Sequence, residues 1–323
     1  MSDRREDHRP VDTRPEGVLD TVSASERDQP STATQAVHVA SLAETIATIR
    51  AAHRERCFWM EQRKRADLSL GAYLRTVLGW TLDKPLAERN AIRKQAQEII
   101  DSGEKYVRES RRVVNRATKG KGPAMLPDIP DALRPFAHIV VPQIEMRGKT
   151  DELEAVPTKA MTRLAEQLPV HQWALGVRGF GALGLAIIVG EAGDLGNYAN
   201  PAKLWKRMGV AVIDGKRQGG LLKTAAKSEW TAHGYNRVRR SRLYTIGSAL
   251  IMSGETPYRQ VYLDRKRYET ERAQAEGLTV APAAKIPKNR HEEYRSLGHI
   301  DNRARRYVEK RLLRDLWRAW INS

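Results

Sequence analysis

Apolar residues recur at helical spacing along most of the chain from Ser41 onward. Leu42, Ile46 and Ile49 lie on one helical face, and Ser41 with Glu44 three residues later forms a capping-box pattern at its start. The same spacing predicts a series of helices, which cover 41–65, 68–80, 86–117, 158–168, 235–252, 257–275 and 302–320. The expected fold class is mainly α: a helical N-terminal region followed by a second helical domain.

Glycine and proline interrupt this pattern. The run Lys119-Gly-Lys-Gly-Pro123 and the prolines after it predict a connector over 121–157, in which His138–Pro142 forms an edge strand or a buried turn. Residues 277–298 are predicted to be a loop. Residues 1–40 lack apolar periodicity and are predicted to be a disordered tail. The expected parts are therefore the tail 1–40, a charged helical region 41–120, the connector 121–157 and a helical domain 158–323.

Charge is distributed unevenly between the tail and the rest of the chain. The 323 residues include 56 Lys+Arg and 39 Asp+Glu, which gives a net charge of +17. Residues 1–40 hold five Arg and eight acidic residues, so the remainder carries 51 basic and 31 acidic residues. An excess of this size attracts polyanions, of which nucleic acid is the abundant cytoplasmic example. A solvated basic surface without a dedicated partner is the alternative.

Several classes of chemistry are excluded by composition. Cys57 is the single cysteine, so the chain forms no internal disulfide and no thiolate zinc cluster, which indicates a reducing compartment. No apolar run approaches the ~18–20 residues of a membrane span, and no signal-peptide core follows the N-terminus. We therefore expect a cytoplasmic protein without a membrane partner. The histidines lack metal-ligand spacing, so no metal site and no cofactor are expected.

A glycine-rich segment at 172–190 joins two apolar helices, the second of which begins near Ala182. Gly179 and Gly181 permit a tight turn, Phe180 anchors it, and the second helix offers free amides to a phosphate. This is the helix-hairpin-helix pattern, which holds the DNA backbone without reading bases, and Arg178 lies beside it. A dinucleotide-binding fingerprint is an alternative, although no strand precedes the glycines. A turn that only packs two helices is another.

Further blocks follow the hairpin in order: Ile188–Leu195, Tyr198–Ala211, Gly215–Gly219 and Asn302–Tyr307. Together with Val177–Gly181 they resemble the C-terminal transposase domain of the IS-one-ten insertion-sequence family, which includes the Piv invertase and the bridge-RNA-guided recombinases. The resemblance covers about 165–320, roughly half of the chain. It implies a role in DNA transposition or site-specific recombination, with DNA as the partner and RNA as a further candidate.

The chain departs from that family at both catalytic elements. The family's N-terminal RuvC-like fold binds magnesium through four acidic residues, and no such pattern occurs in 1–165, so magnesium is expected only if a partner supplies a nuclease domain. Where the family has a nucleophilic serine, this chain has Asp214. Ser241, flanked by Arg239, Arg240 and Arg242, is a substitute candidate, with a solvent-facing helix residue as the alternative. A non-catalytic nucleic-acid-binding or architectural protein is the alternative function.

The last predicted helix has an apolar stripe with Leu312 and Leu316 opposite a face that includes Arg314 and Arg318. Such a face can lie along a phosphate backbone, and it is also typical of any surface helix in a basic protein. The candidate nucleic-acid contacts are Arg178, Gly179, Phe180, Gly181, Lys216, Arg217, Arg239, Arg240, Arg314 and Arg318. Residues 41–120 are predicted to support homo-oligomerisation. A helical scaffold for an acidic protein partner is a third hypothesis.

Overall fold

The first helix begins at Ser41, where the sequence predicts a capping box. The Ser41 hydroxyl accepts a hydrogen bond from the Glu44 amide, and the Glu44 carboxylate accepts one from the Ser41 amide. This helix, α1, spans Leu42–Val77 without a break, so the two helices predicted over 41–65 and 68–80 are one. No proline separates them, and burial of Leu70 and Leu74 stabilises the helix beyond the polar segment at Asp67.

The structure is a computed structural model that describes residues 41–222, 224–287 and 289–323, so the predicted disordered tail 1–40 lies outside the described residues. Its fold class is mainly α, as predicted. After α1 the helices are α2 Leu86–Thr118, α3 Ala137–Ala165, α4 His171–Gly176, α5 Gly181–Ala192, α6 Pro201–Met208, α7 Lys227–His233, α8 Arg237–Met252, α9 Pro257–Ala275 and α10 Leu297–Ile321. The strands are β1 Val212–Ile213, β2 Lys216–Arg217, β3 Thr279–Ala281 and β4 Tyr294–Ser296.

The connector predicted over 121–157 is wrong from Ala137 onward, because α3 contains both Pro142 and Pro157. His138–Pro142 accordingly forms the first turns of a helix and neither a strand nor a buried turn. Each proline removes one backbone hydrogen bond. The helix nevertheless forms because Val140 and Met161 are fully buried on its inner face, and this packing outweighs the local preference.

The predicted pair of helices around the glycine-rich turn is present as α4 and α5. The predicted loop at 277–298 is mostly irregular but contains β3 and β4, which pair in parallel from Thr279↔Tyr294 to Ala281↔Ser296. The last helix begins at Leu297, five residues before the predicted start at Asn302, because the Ser296 hydroxyl accepts a hydrogen bond from the His299 amide and caps it.

The main core surrounds α5, a helix that is apolar on nearly every side. Leu185, Ala186, Ile188 and Val189 are all fully buried there. A helix that is apolar on most sides needs neighbours around most of its circumference, and α1, α3, α6, α8 and α10 contribute buried residues to this core. Three indole N–H groups fasten α10 to it: Trp205 donates to Lys310 O at 3.0 Å, Trp317 to Tyr198 O at 2.8 Å and Trp320 to Asp194 Oδ1 at 3.1 Å.

A second, smaller core lies where the distal half of α1 meets α2 and the beginning of α3. It contains Leu70, Leu74, Ile99, Leu133 and Val140. Both α1 and α3 reach from this core into the main one, so the described residues pack as one unit, and the predicted limits at 120 and 158 do not coincide with a break in packing. Within the described ranges, no helix is both long enough and apolar enough to cross a membrane.

Candidate nucleic-acid interface

A two-stranded ribbon presents two of the predicted cationic residues to solvent. β1 and β2 are antiparallel, with Val212 opposite Arg217, and Asp214-Gly215 forms the two-residue turn between them. Both turn residues have positive φ angles, 48° and 72°, which is typical of the Asp-Gly turns that suit hairpin twist. The local backbone therefore explains why an aspartate stands at 214, and Lys216 and Arg217 are exposed on the ribbon.

The ribbon forms one wall of a cationic cleft whose other walls are α9 and α10. The cleft has a volume of about 390 Å³. Its lining includes six cationic side chains and one carboxylate, that of Glu269 on α9. The cations are Arg217, Arg265, Arg272, Arg303, Arg306 and Lys310.

Three of these six cations are paired with two carboxylates, Glu269 and Glu276. The buried Glu269 carboxylate accepts hydrogen bonds from Arg265 and, at 2.7 Å, from Arg303. Burial opposes its ionisation, but the hydrogen bonds from Arg303 and Arg265 outweigh burial and hold the pKa of Glu269 below its ordinary value. Arg272 donates to Glu276 at 2.8 Å.

The other three cations, Arg217, Arg306 and Lys310, have no carboxylate within 4.0 Å among the described residues. Burial and the charges of Arg217 and Arg240 lower the pKa of Arg306. Burial and the charges of Arg306 and Arg265 lower the pKa of Lys310. The cleft thus holds mutually repelling positive charge in a partly desolvated place, and an anion bound there would relieve the repulsion.

The predicted hairpin lies away from this cleft. Gly179, with φ 87°, packs against the end of α8 so closely that a Cβ would lie 2.8 Å from Ala249 O. Phe180 is buried in the main core, with its ring centroid 6.1 Å from that of Trp173. These two residues therefore have structural roles.

The start of the second hairpin helix is nevertheless open. Among the described residues no side chain caps α5, and a Cβ at Gly181 would meet no atom within 4 Å. Arg178 is exposed beside it. The hairpin tip thus presents free amides and one cation, which together suit a phosphate but form a small surface.

Arg239 and Arg240 are adjacent on α8 but point to different buried carboxylates. Arg239 Nε donates to Glu191 Oε2 at 3.1 Å. Arg240 Nη1 donates to Glu309 Oε1 at 3.1 Å, and its Nη2 lies 2.9 Å from Oε2. Each of these arginines is thus paired with a glutamate inside the fold, a role that the sequence did not indicate.

The remaining predicted contacts are scattered. Arg314 donates to Asp315 at 2.9 Å, and Arg318 is exposed on the last turns of α10. Ser241 is exposed on α8, and within the described chain its hydroxyl has no hydrogen-bond partner that could act as a base. Of the ten predicted nucleic-acid contacts, the cleft therefore includes Arg217 alone, with Lys216 beside it on the ribbon.

Sequence reasoning did not select Arg265, Arg306 or the other cleft residues of α9 as candidates. A signal for part of this set was present: Arg303, Arg306 and Lys310 are spaced by three and four residues, which brings them to one face of α10. Across residues 41–222, 224–287 and 289–323, no group of three or more His, Cys, Asp or Glu side chains is arranged to hold a metal ion.

Comparisons with known proteins add no relative to this picture. No protein-family model matches the sequence, and no curated protein or solved structure matches the chain. The resemblance to the IS-one-ten transposase domain therefore stays a prediction.

Proposed function

We propose that this protein binds the phosphate backbone of DNA in the cleft between the β1–β2 ribbon, α9 and α10, and that it acts in DNA transposition or site-specific recombination. The observation that carries the first part is the trio Arg217, Arg306 and Lys310, whose charges have no carboxylate partner among the described residues. Arginine and lysine side chains at a concave surface are suited to phosphate oxygens. The cytoplasm is the location that fits this role.

The recombination role rests on the ordered sequence blocks that resemble the transposase domain. Chemistry by this chain alone has less support, because Asp214 is a turn residue where the family has its serine, and Ser241 has no neighbouring base among the described residues. The alternative is a non-catalytic architectural protein that uses the same cleft. Magnesium enters only through a partner that supplies a nuclease domain.

The experiment is a salt series with the full chain and a labelled DNA duplex, measured by fluorescence anisotropy. The variant Arg306→Gln/Lys310→Gln should bind more weakly, and the slope of log K against log salt should become shallower by about 0.9 for each phosphate that the variant no longer neutralises. The matched control is Arg267→Gln/Arg290→Gln, which removes the same charge from two exposed arginines paired with Asp264 and Glu293. Equal slopes for the two double variants would refute the cleft as the interface.

Three further tests use the same protein samples. They ask whether the hairpin contributes to binding, whether a recombination reaction occurs, and which type of nucleic acid is bound. Arg178→Ala/Lys216→Ala should weaken binding and flatten the salt slope if the hairpin tip and ribbon contribute. Incubation with magnesium, followed by a denaturing gel, detects a strand-exchange product, which supports recombination; binding without product favours the architectural alternative. An RNA duplex and an RNA–DNA hybrid, run in parallel, test RNA as a partner.

Self-association through 41–120 is a separate part of the proposal. Charged faces on α1 and α2, two helices of 36 and 33 residues, support it. Light scattering of the full chain measures the mass directly. A monomer at high protein concentration would refute self-association and would leave the proposal of DNA binding in the cleft unchanged.

A further inference from the structure

A second cationic cavity lies on the other side of the C-terminal end of α6. Its volume is about 290 Å³, and α1, α5, α6 and α8 form its walls. Arg207 of α6 lines this cavity, while Gly209, two residues later, lines the cleft described above. The cavity therefore neighbours the cleft but uses different side chains.

The cavity contains five arginines and one carboxylate. The arginines are Arg50, Arg54, Arg207, Arg239 and Arg242, and the carboxylate is that of Glu191. Glu191 is buried at the base, where it accepts a hydrogen bond from Arg239 and contacts Arg242 and His53. One buried carboxylate neutralises only one of the five positive charges, so the cavity has a large positive excess.

His53 does not add to that excess, and it does not form a nucleophile–base pair with Cys57. Burial and the charges of Arg242 and Arg56 lower the pKa of His53 to about 4, so the ring is neutral near pH 7. Its Nε2 lies 3.0 Å from Glu191 Oε1, and because an ionised carboxylate only accepts hydrogen bonds, we assign the ring proton to Nε2. The Cys57 sulfur lies 3.6 Å from that same nitrogen. Because Nε2 already serves Glu191, it cannot accept the thiol proton, and a cysteine-based reaction finds no base here.

Hydrogen bonds hold the arginines of α6 and α8 in place at the bottom of the cavity, next to Glu191. Arg207 Nε donates to Glu191 O at 3.0 Å, and Arg239 Nη1 donates to Arg207 O at 3.1 Å. Burial and the neighbouring charge of Arg239 lower the pKa of Arg207. The guanidinium groups are thus held together despite their repulsion, which is preorganisation for an anion.

The mouth of the cavity is formed by cations without partners. Arg50 and Arg54 lie one turn apart on α1 and are exposed, and neither has a carboxylate within 4.0 Å in the part of the chain that the structure describes. One guanidinium group can donate hydrogen bonds to two oxygens of a phosphate at once. Arginines on two walls of a small cavity can therefore surround one phosphate. A volume of about 290 Å³ admits a phosphate group with an adjoining sugar and is too small to enclose a base-paired duplex.

We propose that the cavity between α1, α5, α6 and α8 binds a single phosphate group, free or as a monoester, with Arg54 of α1 and Arg207 of α6 as its principal ligands. Two sources share this chemistry: the terminal phosphate of a nucleic-acid strand, and free inorganic phosphate. The site does not depend on DNA binding in the cleft, because the two share no side chain.

Calorimetric titration of the full chain with inorganic phosphate, at about physiological ionic strength in chloride, tests the site. The wild type should bind saturably, and Arg54→Gln/Arg207→Gln should lose at least about tenfold in affinity. Arg50→Gln/Arg54→Gln should also weaken binding, and because these α1 side chains make no hydrogen bond within the described chain, that loss is not due to a disturbed fold. The cleft variant Arg306→Gln/Lys310→Gln should retain wild-type phosphate affinity.

Absence of saturable phosphate binding by the wild type would overturn the proposal, as would wild-type affinity in both cavity variants. The source is resolved with two single strands of one sequence, one carrying a 5′-phosphate and one a 5′-hydroxyl. A preference for the phosphorylated strand that disappears in Arg54→Gln/Arg207→Gln identifies the strand end as the ligand. Equal affinity for the two strands, with inorganic phosphate still bound, identifies free phosphate.

Discussion

Glu309 on α10 gives the protein a measurable pH dependence of stability. Its carboxylate is fully buried against α8 and lies 2.9 Å from the Arg240 guanidinium. Burial raises the pKa of Glu309 from 4.5 to about 7, even though Arg240 favours the charged form. Since one pKa unit corresponds to about 1.4 kcal/mol, ionising Glu309 in the folded protein costs about 3 kcal/mol.

The folded and unfolded states release the Glu309 proton at different pH values, and this difference sets the direction in which the free energy of unfolding changes with pH. At a pH below 4.5 Glu309 is protonated in both states. Between 4.5 and about 7 the unfolded chain releases this proton while the folded chain keeps it, so the free energy of unfolding falls as the pH rises. At higher pH both states are ionised and the loss is constant.

The variant Glu309→Gln removes this titration and keeps the shape of the side chain and an acceptor for Arg240. We expect the free energy of unfolding of the variant, relative to wild type, to increase by about 2.5 kcal/mol between about pH 5 and about pH 8, as measured by urea denaturation. Taking the difference between the two proteins cancels the titration of all other groups.

Glu269→Gln is the matched control, because Glu269 is also buried but its pKa is held low by Arg303 and Arg265. The stability that Glu269 contributes is complete above its unfolded pKa and is lost as the pH falls through its folded pKa, so this difference should stay nearly constant over the same window. A flat difference for Glu309→Gln, or one that falls with rising pH, would refute the reasoning.

Two further pairs of variants test the packing. Leu185→Ala leaves a cavity at a fully buried position of α5 and should lower the free energy of unfolding by about 2–5 kcal/mol, as measured by urea denaturation. Leu183→Ala, on the exposed side of the same helix, should lower it by under about 1 kcal/mol. Equal losses would contradict the central position of α5. Gly179→Ala places a Cβ 2.8 Å from Ala249 O and should lower the melting temperature more than Gly181→Ala, where the space is open; the reverse order would contradict the packed turn.

Helical periodicity predicted most of the helices, because an apolar stripe has the same spacing whatever it packs against. The short helices α6 and α7 were not predicted, and neither was the part of α3 that contains Pro142 and Pro157. The effect of these prolines on a helix can be read locally. The burial that overrides it comes from other helices: Val140 packs in the smaller core with α1 and α2, and Met161 packs in the main core with α1 and α5. Tertiary packing decided this element, and local preference did not.

The candidate site was predicted only in outline. Net charge indicated a polyanion partner, but the sequence could not separate arginines that face an anion from those that neutralise a buried acid. Arg239 and Arg240 are neighbours in sequence but point from α8 in different directions, each toward a glutamate from another helix. Arg306 lines the cleft because the β1–β2 ribbon lies opposite it, and that juxtaposition depends on the fold as a whole.

The extension of α1 and α3 through both cores restricts how the chain can be shortened. A fragment beginning at 158 would lack Ile46 and Ile49, both buried against the main core, and would leave the neighbouring surface of α5 open to water. A fragment ending at 120 would lack Leu133 and Val140 and so be without part of the smaller core. Truncations at either predicted limit should therefore aggregate, and biochemical work on the cleft or the cavity requires a protein that retains residues 41–323.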